Sequence, residues 1–224
     1  MVSRREFVRF AAASFGLAGA HGYAKARSAD EALRDLLAGN ERFAKGRPSS
    51  PRRRPEDFRA LATAQYPEAV IVSCADSRVA PEILFDVGVG DIFVIRVAGN
   101  VIGGAGASVK GSIEYGIAEL HTPLIVVLGH SGCGAVKSAI KHIDDKDALP
   151  GAIGGLVDLV KPAVIKSRGM PGDALENAIR ANVEMGVERL KGLEPILAPR
   201  VKDGTVKIAG GVYDLKTGLV SLLK

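Results

Sequence analysis

Apolar residues recur along this chain with two different periods. Residues 29–46, ADEALRDLLAGNERFAKG, set Leu33, Leu36, Leu37 and Phe43 on helical spacing, with acidic residues early and Lys45 late, as the helix dipole favours. They predict one amphipathic helix, with a break expected near Gly39. After a Pro/Arg loop at 48–55 and a short helical stretch, the pattern changes to continuous apolar runs. These are Ala69–Val72, DIFVIRVAGN at 91–100, and PLIVVLGH at 123–130. Runs of this kind predict strands of a parallel sheet covered on both faces. Helix-period segments follow them at roughly 81–86, 107–120, 134–143 and 152–167. The longest, 173–192, carries Leu175, Ile179, Val183, Val187 and Leu190 as its stripe, and GTVKIAGGVYDLKTGLVSLL closes the chain as two strands around a KTG turn.

Strand and helix in alternation predict an α/β fold. The expected form is a three-layer α/β/α arrangement with a mostly parallel central sheet, an antiparallel C-terminal edge strand, and a ligand site at the strands' carboxyl ends. Residues 27–224 read as one domain, since no repeat, low-complexity tract or linker marks a second. At 224 residues and 47% hydrophobic, the chain can bury a sizeable core.

Charge narrows the partners. The formal net charge is +5, but residues 1–26 hold Arg4, Arg5, Arg9 and Lys25 against Glu6, a net +3 that leaves +2 for the remainder. That is too weak a footprint for nucleic acid, and PRRRP at 51–55 reads as a solvated loop. The twin arginine, Phe7, the Ala/Gly-rich stretch at 10–20 and the small-x-small site Ala24-Lys25-Ala26 resemble a twin-arginine export signal. Such a signal implies a periplasmic or otherwise exported protein, and a cytoplasmic one where the signal is not used. Its apolar stretch is too short for a permanent membrane span.

The chemistry concentrates at two strand ends. SCADSRVAPE (73–82) sets Cys74, Asp76 and Arg78 at alternate positions directly after the first apolar run, so they share a side if extended geometry persists. His130 and Cys133 lie in HSGC at the end of the third run. Two thiolates, one imidazole and one carboxylate make a tetrahedral set suited to one Zn2+ per subunit. A Cys74 to Cys133 disulfide, or two buried structural cysteines, are the alternatives; neither accounts for His130 and Asp76 beside them. Four protein ligands would close the site. Arg78 can draw Asp76 off the metal in a bidentate pair, and water can enter the vacated position, where zinc lowers its pKa towards about 7. His21, His121 and His142 read as surface or capping residues, and VIGGAGAS lacks the order of a phosphate cradle.

CADSRVAPE, GDIFVIRVAGN, SIEYGIAEL and VVLGHSGCGAV, in this order, resemble the β-class carbonic anhydrase family, and the likeness runs from about residue 29 to the C-terminus. The resemblance implies reversible hydration of carbon dioxide to bicarbonate and a proton by hydroxide generated at zinc. Cys74, His130 and Cys133 would hold the metal, with Asp76 either the fourth ligand or, paired to Arg78, the acceptor that orients the hydroxide. Gln65 would hydrogen-bond the substrate. Phe93, Ala98 and Tyr115 would line an apolar pocket, partly from a neighbouring subunit, with the backbone at Gly99 close by. The same resemblance implies a homodimer or tetramer, with the helix at 27–46 reaching a partner subunit. A carbonyl sulfide or carbon disulfide hydrolase on the same fold, and a non-catalytic zinc-stabilised module, are the rival functions. Val97 stands where many relatives have asparagine.

Overall fold

The protein is described by a computed structural model covering residues 27–224 apart from 105, 146 and 148. The expected export segment, residues 1–26, lies outside the described residues. Among the described residues five strands form one sheet: β1 (Ala69–Ser73), β2 (Ile92–Arg96), β3 (Leu124–His130), β4 (Lys207–Tyr213) and β5 (Val220–Leu222). Their order is β2-β1-β3-β4-β5, with the first four parallel and β5 antiparallel to β4. The mostly parallel sheet with its antiparallel C-terminal edge is the arrangement expected from the sequence. β2 ends sooner than its apolar run, because the chain turns at Ala98–Asn100, where Gly99 takes a φ of +72° that glycine adopts without strain.

Alternate strand residues face opposite layers, as the period of two requires. Val70, Val72, Ile125 and Val127 pack under α4 (Gly106–Ala118), α5 (Gly134–Asp145), α6 (Ile153–Ser167) and α7 (Ala174–Lys191). Ile71, Val126 and Leu128 pack on the other side with α1 (Ala29–Ala44) and α3 (Pro81–Leu84). α2 (Pro55–Arg59) and α8 (Leu197–Lys202) are short connectors. α8 escaped the sequence reading because six residues around a proline show no helical period. Among the described residues no helix is long and apolar enough to cross a membrane.

α1 begins at a reciprocal cap: Glu31 N–H donates to Ser28 Oγ at 3.2 Å, and Ser28 N–H donates to Glu31 Oε2 at 2.8 Å. The helix runs unbroken through Gly39, contrary to the expected break. A Cβ there would lie 1.8 Å from the carbonyl oxygen of Phe85, so glycine serves close approach to the segment after α3. The helix expected to reach a partner buries Ala32, Leu33 and Leu36 against its own chain. Beside it, Asp86 is fully buried and accepts from Arg42 Nε (2.7 Å), Ser49 N and Ser50 N (2.8 Å each) and Ser49 Oγ (2.9 Å). Burial opposes its ionisation, but these donors outweigh burial and hold the carboxyl well below the usual range.

Candidate metal centre

In a doubly wound sheet the chains leaving two neighbouring strands diverge at the topological switch point and leave a crevice at their carboxyl ends. Here the switch lies between β1 and β3, and both predicted clusters sit there. Cys74 directly follows β1; Val97 N–H donates to the Ser73 carbonyl at 3.1 Å and Ala75 N–H to the Val97 carbonyl at 3.3 Å, which ties this segment to the end of β2. Extended geometry stops at that point, and the chain turns at Ser77 and Arg78. Asp76 and Arg78 therefore meet through an Asx turn and not through strand alternation. Arg78 N–H donates to Asp76 Oδ1 at 2.9 Å, while its side chain donates from Nε to Oδ1 (2.9 Å) and from Nη2 to Oδ2 (2.8 Å). The Arg78 hydrogen bonds hold the Asp76 carboxyl well below the usual carboxylate range, against the opposing effect of burial.

His130, the last residue of β3, is fully buried. Its Nδ1 lies 3.0 Å from the Ser131 carbonyl. A carbonyl oxygen can only accept, so Nδ1 carries the hydrogen and Nε2 presents a lone pair. Among the described residues that buried Nε2 has no hydrogen-bond partner. Cys133 stands directly ahead of α5, after the turn at Gly132. The ligand atoms of Cys74, His130 and Cys133 all lie within 4.8 Å of one another. Asp76 stands outside this trio, its Oδ2 3.8 Å from His130 Nε2, with the carboxylate turned onto Arg78.

The two thiols are pushed in opposite directions. The hydrogen bond from Cys133 draws the Cys74 thiol well down despite burial, and the Gly99 N–H, 3.3 Å from Cys74 Sγ, adds to it. The same bond, together with burial, pushes the Cys133 thiol well up. A divalent cation would relieve the conflict by ligating both sulfurs as thiolates. Two sulfurs, one imidazole nitrogen and an orphaned lone pair among them suit zinc.

Arg96 and Asn182 support the centre, and sequence reasoning missed both. Arg96 donates from Nε to the Cys74 carbonyl (3.1 Å) and from Nη2 to the Asp76 carbonyl (2.7 Å), clamping the ligand-bearing turn. Asn182 donates from Nδ2 to the Gly99 carbonyl at 2.8 Å. Their signals were present: a charge closing the apolar run DIFVIR, and one amide within the apolar stripe of α7.

Gly99 and the half-buried Ala98 lie in one turn, whose Gly99 N–H meets Cys74 Sγ. Phe93 and Tyr115 stand away from the centre within one chain. Gln65 is exposed ahead of β1; Phe93 pairs in register with Val70, four residues before Cys74, which is about 13 Å along a strand. Tyr115, 48% exposed, lies against Phe93 with ring centroids 6.1 Å apart. A groove of about 480 Å³ lies elsewhere, between α1 and β2. Its charges are already paired, Arg27 with Asp35 and Glu68, and Arg52 with Asp91.

The family model described as carbonic anhydrase matches residues 69–220. Carbonic anhydrase 2 of Mycobacterium tuberculosis is 42% identical over 187 residues, covering 84% of this chain and 89% of that protein. A carbonic anhydrase of Pseudomonas aeruginosa is 36% identical over 197 residues, covering 85% and 87%. Among solved structures, the β-carbonic anhydrase CcaA superposes with a TM-score of 0.68 at 28% identity, covering 86% of this chain and 95% of that one. The Coccomyxa β-carbonic anhydrase in complex with acetazolamide gives 0.65 at 27% identity, covering 87% and 82%. The matched region runs from the first to the last strand and contains all three metal-seeking side chains, and the chain belongs to the β-carbonic anhydrase family.

Proposed function

We propose that this protein catalyses the reversible hydration of carbon dioxide to bicarbonate and a proton, using one zinc ion held by Cys74, His130 and Cys133. The observation that carries the reading is the trio of buried ligand atoms within 4.8 Å of one another, beside an aspartate that an arginine holds in a bidentate pair. Zinc bound there supplies Lewis acidity and lowers the pKa of water towards about 7, so that hydroxide is available near neutral pH. The chain's own residues do the rest. Asp76, ionised and acceptor-only, takes a hydrogen bond from the nucleophile's O–H and turns an oxygen lone pair towards the substrate carbon. Arg78 keeps that carboxylate away from the metal position. Ala98 and Gly99 shape the adjoining wall, and two thiolates donate enough charge to shift activity towards alkaline pH.

Gln65 would hydrogen-bond the substrate, and Phe93 and Tyr115 from a second copy of the chain would complete the apolar pocket. The exposed Tyr115 beside Phe93 on the edge strand β2 supports assembly into a homodimer or larger homo-oligomer. The order of twin arginine, apolar stretch and small-x-small site supports export. A carbon dioxide hydration assay across about pH 6.5 to 9, with metal content and molecular mass measured on the same sample, tests the reaction and the assembly together. Stoichiometric zinc with no hydration at any pH would refute the catalytic reading; a monomer with full activity would refute the shared pocket.

A further inference from the structure

We propose that Asn182 is a positioning residue for the metal centre, acting through Gly99 to fix the hydrogen bond that the Gly99 N–H donates to Cys74 Sγ. The inference rests on the reading of Cys74, His130 and Cys133 as metal ligands. It starts from an anomaly in α7, whose buried residues are Ala178, Ile179, Ala181, Asn182, Val183, Gly186 and Leu190. Asn182 is the polar side chain in that set, and an apolar residue would fill its place without needing a partner. Its amide makes a short bond across the core, from Nδ2 to the Gly99 carbonyl at 2.8 Å.

Gly99 is held from two sides. Its left-handed conformation, φ 72° and ψ 15°, aims its own N–H at Cys74 Sγ, 3.3 Å away. One face of the residue thus meets the sulfur while its carbonyl meets Asn182. A donor held at that distance fixes the sulfur and orients the lone pairs left for a cation. The neighbouring residue braces the other half of the centre. A Cβ on Gly129, which immediately precedes His130, would come within 2.6 Å of Val183 Cγ2, so α7 rests directly on the strand end that carries the imidazole. One turn of α7 therefore spans both halves: Asn182 steadies the Cys74 side and Val183 the His130 side.

The test is zinc affinity by competition with a chromophoric chelator, on the full chain and on Asn182→Leu and Asn182→Ala. It is paired with the cobalt(II)-thiolate absorption of the same proteins and with melting of the metal-free and zinc-loaded forms. The expected result is a roughly tenfold or greater loss of zinc affinity, in the range for partners of metal ligands, with a shifted cobalt band and a larger fall in melting temperature for the loaded form than for the metal-free one. A purely structural role would lower both melting temperatures equally and leave zinc affinity and the cobalt band unchanged; that result in either folded variant overturns the inference. If neither variant folds, nuclear magnetic resonance of the wild type reads the same linkage. The Asn182 side-chain amide and the Gly99 amide should both shift when metal is added, and an unmoved Asn182 amide overturns it. Failure of the wild type to bind zinc would instead sink the metal-centre reading itself.

Discussion

Replacing Asp76 by asparagine exchanges one oxygen for an amino group and reverses one hydrogen-bonding role. In the structure Oδ1 accepts from the Arg78 N–H and Nε at 2.9 Å each, and Oδ2 accepts from Nη2 at 2.8 Å. The amide can keep the first two bonds, but its NH2 then faces the Nη2 donor. Flipped over, it keeps Nη2 and loses the other two. In neither orientation do two oxygens remain, one spare lone pair of which could take the nucleophile's hydrogen. Groups that position or exchange a proton in this way contribute about 10²- to 10⁴-fold. A fall of about 100-fold in kcat/KM is expected for Asp76→Asn, equivalent to about 2.7 kcal/mol of transition-state stabilisation. Asp76→Ala should fall at least as far. Zinc content should stay at wild-type stoichiometry, because Cys74, His130 and Cys133 are untouched. Stopped-flow hydration with metal determined on the same sample provides the measurement. Either variant working within about twofold of wild type while fully loaded would refute the role assigned to the carboxylate; activity lost in proportion to zinc would make Asp76 a ligand and not an acceptor.

Arg78→Ala should release a carboxylate that stands 3.8 Å from His130 Nε2, giving a zinc-loaded protein with little hydration activity and slower loss of metal to chelators. Removing zinc should expose the neighbouring thiols: titration with a thiol reagent should find Cys74 and Cys133 protected when loaded and reactive after chelation, with no disulfide in freshly prepared protein. Asp86→Ala should cost about 1–2 kcal/mol in urea unfolding, because Ser49 and Ser50 lose the acceptor that ties their loop to α3, while the exposed Arg42 can turn to water. The Asp86 carboxyl is depressed in the folded state, so its contribution is present above the unfolded pKa of about 3.9 and fades as pH falls below it; the gap between wild type and variant should narrow on acidification. Gly39→Ala should destabilise by about 1–3 kcal/mol in thermal unfolding despite a helix-propensity gain of about 1 kcal/mol, since its Cβ would meet the Phe85 carbonyl oxygen at 1.8 Å.

Much of this protein was legible in one dimension. The apolar runs of β1 and β3 are continuous because both strands are covered on two faces, and burial of every residue in them follows from that same fact. The metal-seeking side chains could be named because thiol, imidazole and carboxylate fall just past those runs. Gly39 was misread as a helix breaker because propensity describes an isolated helix, whereas here a neighbouring carbonyl claims the space a side chain would take. The pairing of Asp76 with Arg78 was anticipated for the wrong geometric reason, strand alternation in place of an Asx turn.

By itself, the sequence determined the layer order, the strand ends where chemistry collects and the identity of the donors, because these depend on hydrophobic period and on side-chain chemistry, both local properties. Only the tertiary structure decided that Asp76 is turned onto Arg78, that His130 presents a bare Nε2 beside two sulfurs, and that Arg96 and Asn182 hold the surrounding turns. It also decided that Phe93 and Tyr115 stand apart from the centre in a single chain. Those outcomes rest on distances between segments remote in sequence, which are set by how the helices and the sheet pack together and leave no periodic trace along the chain.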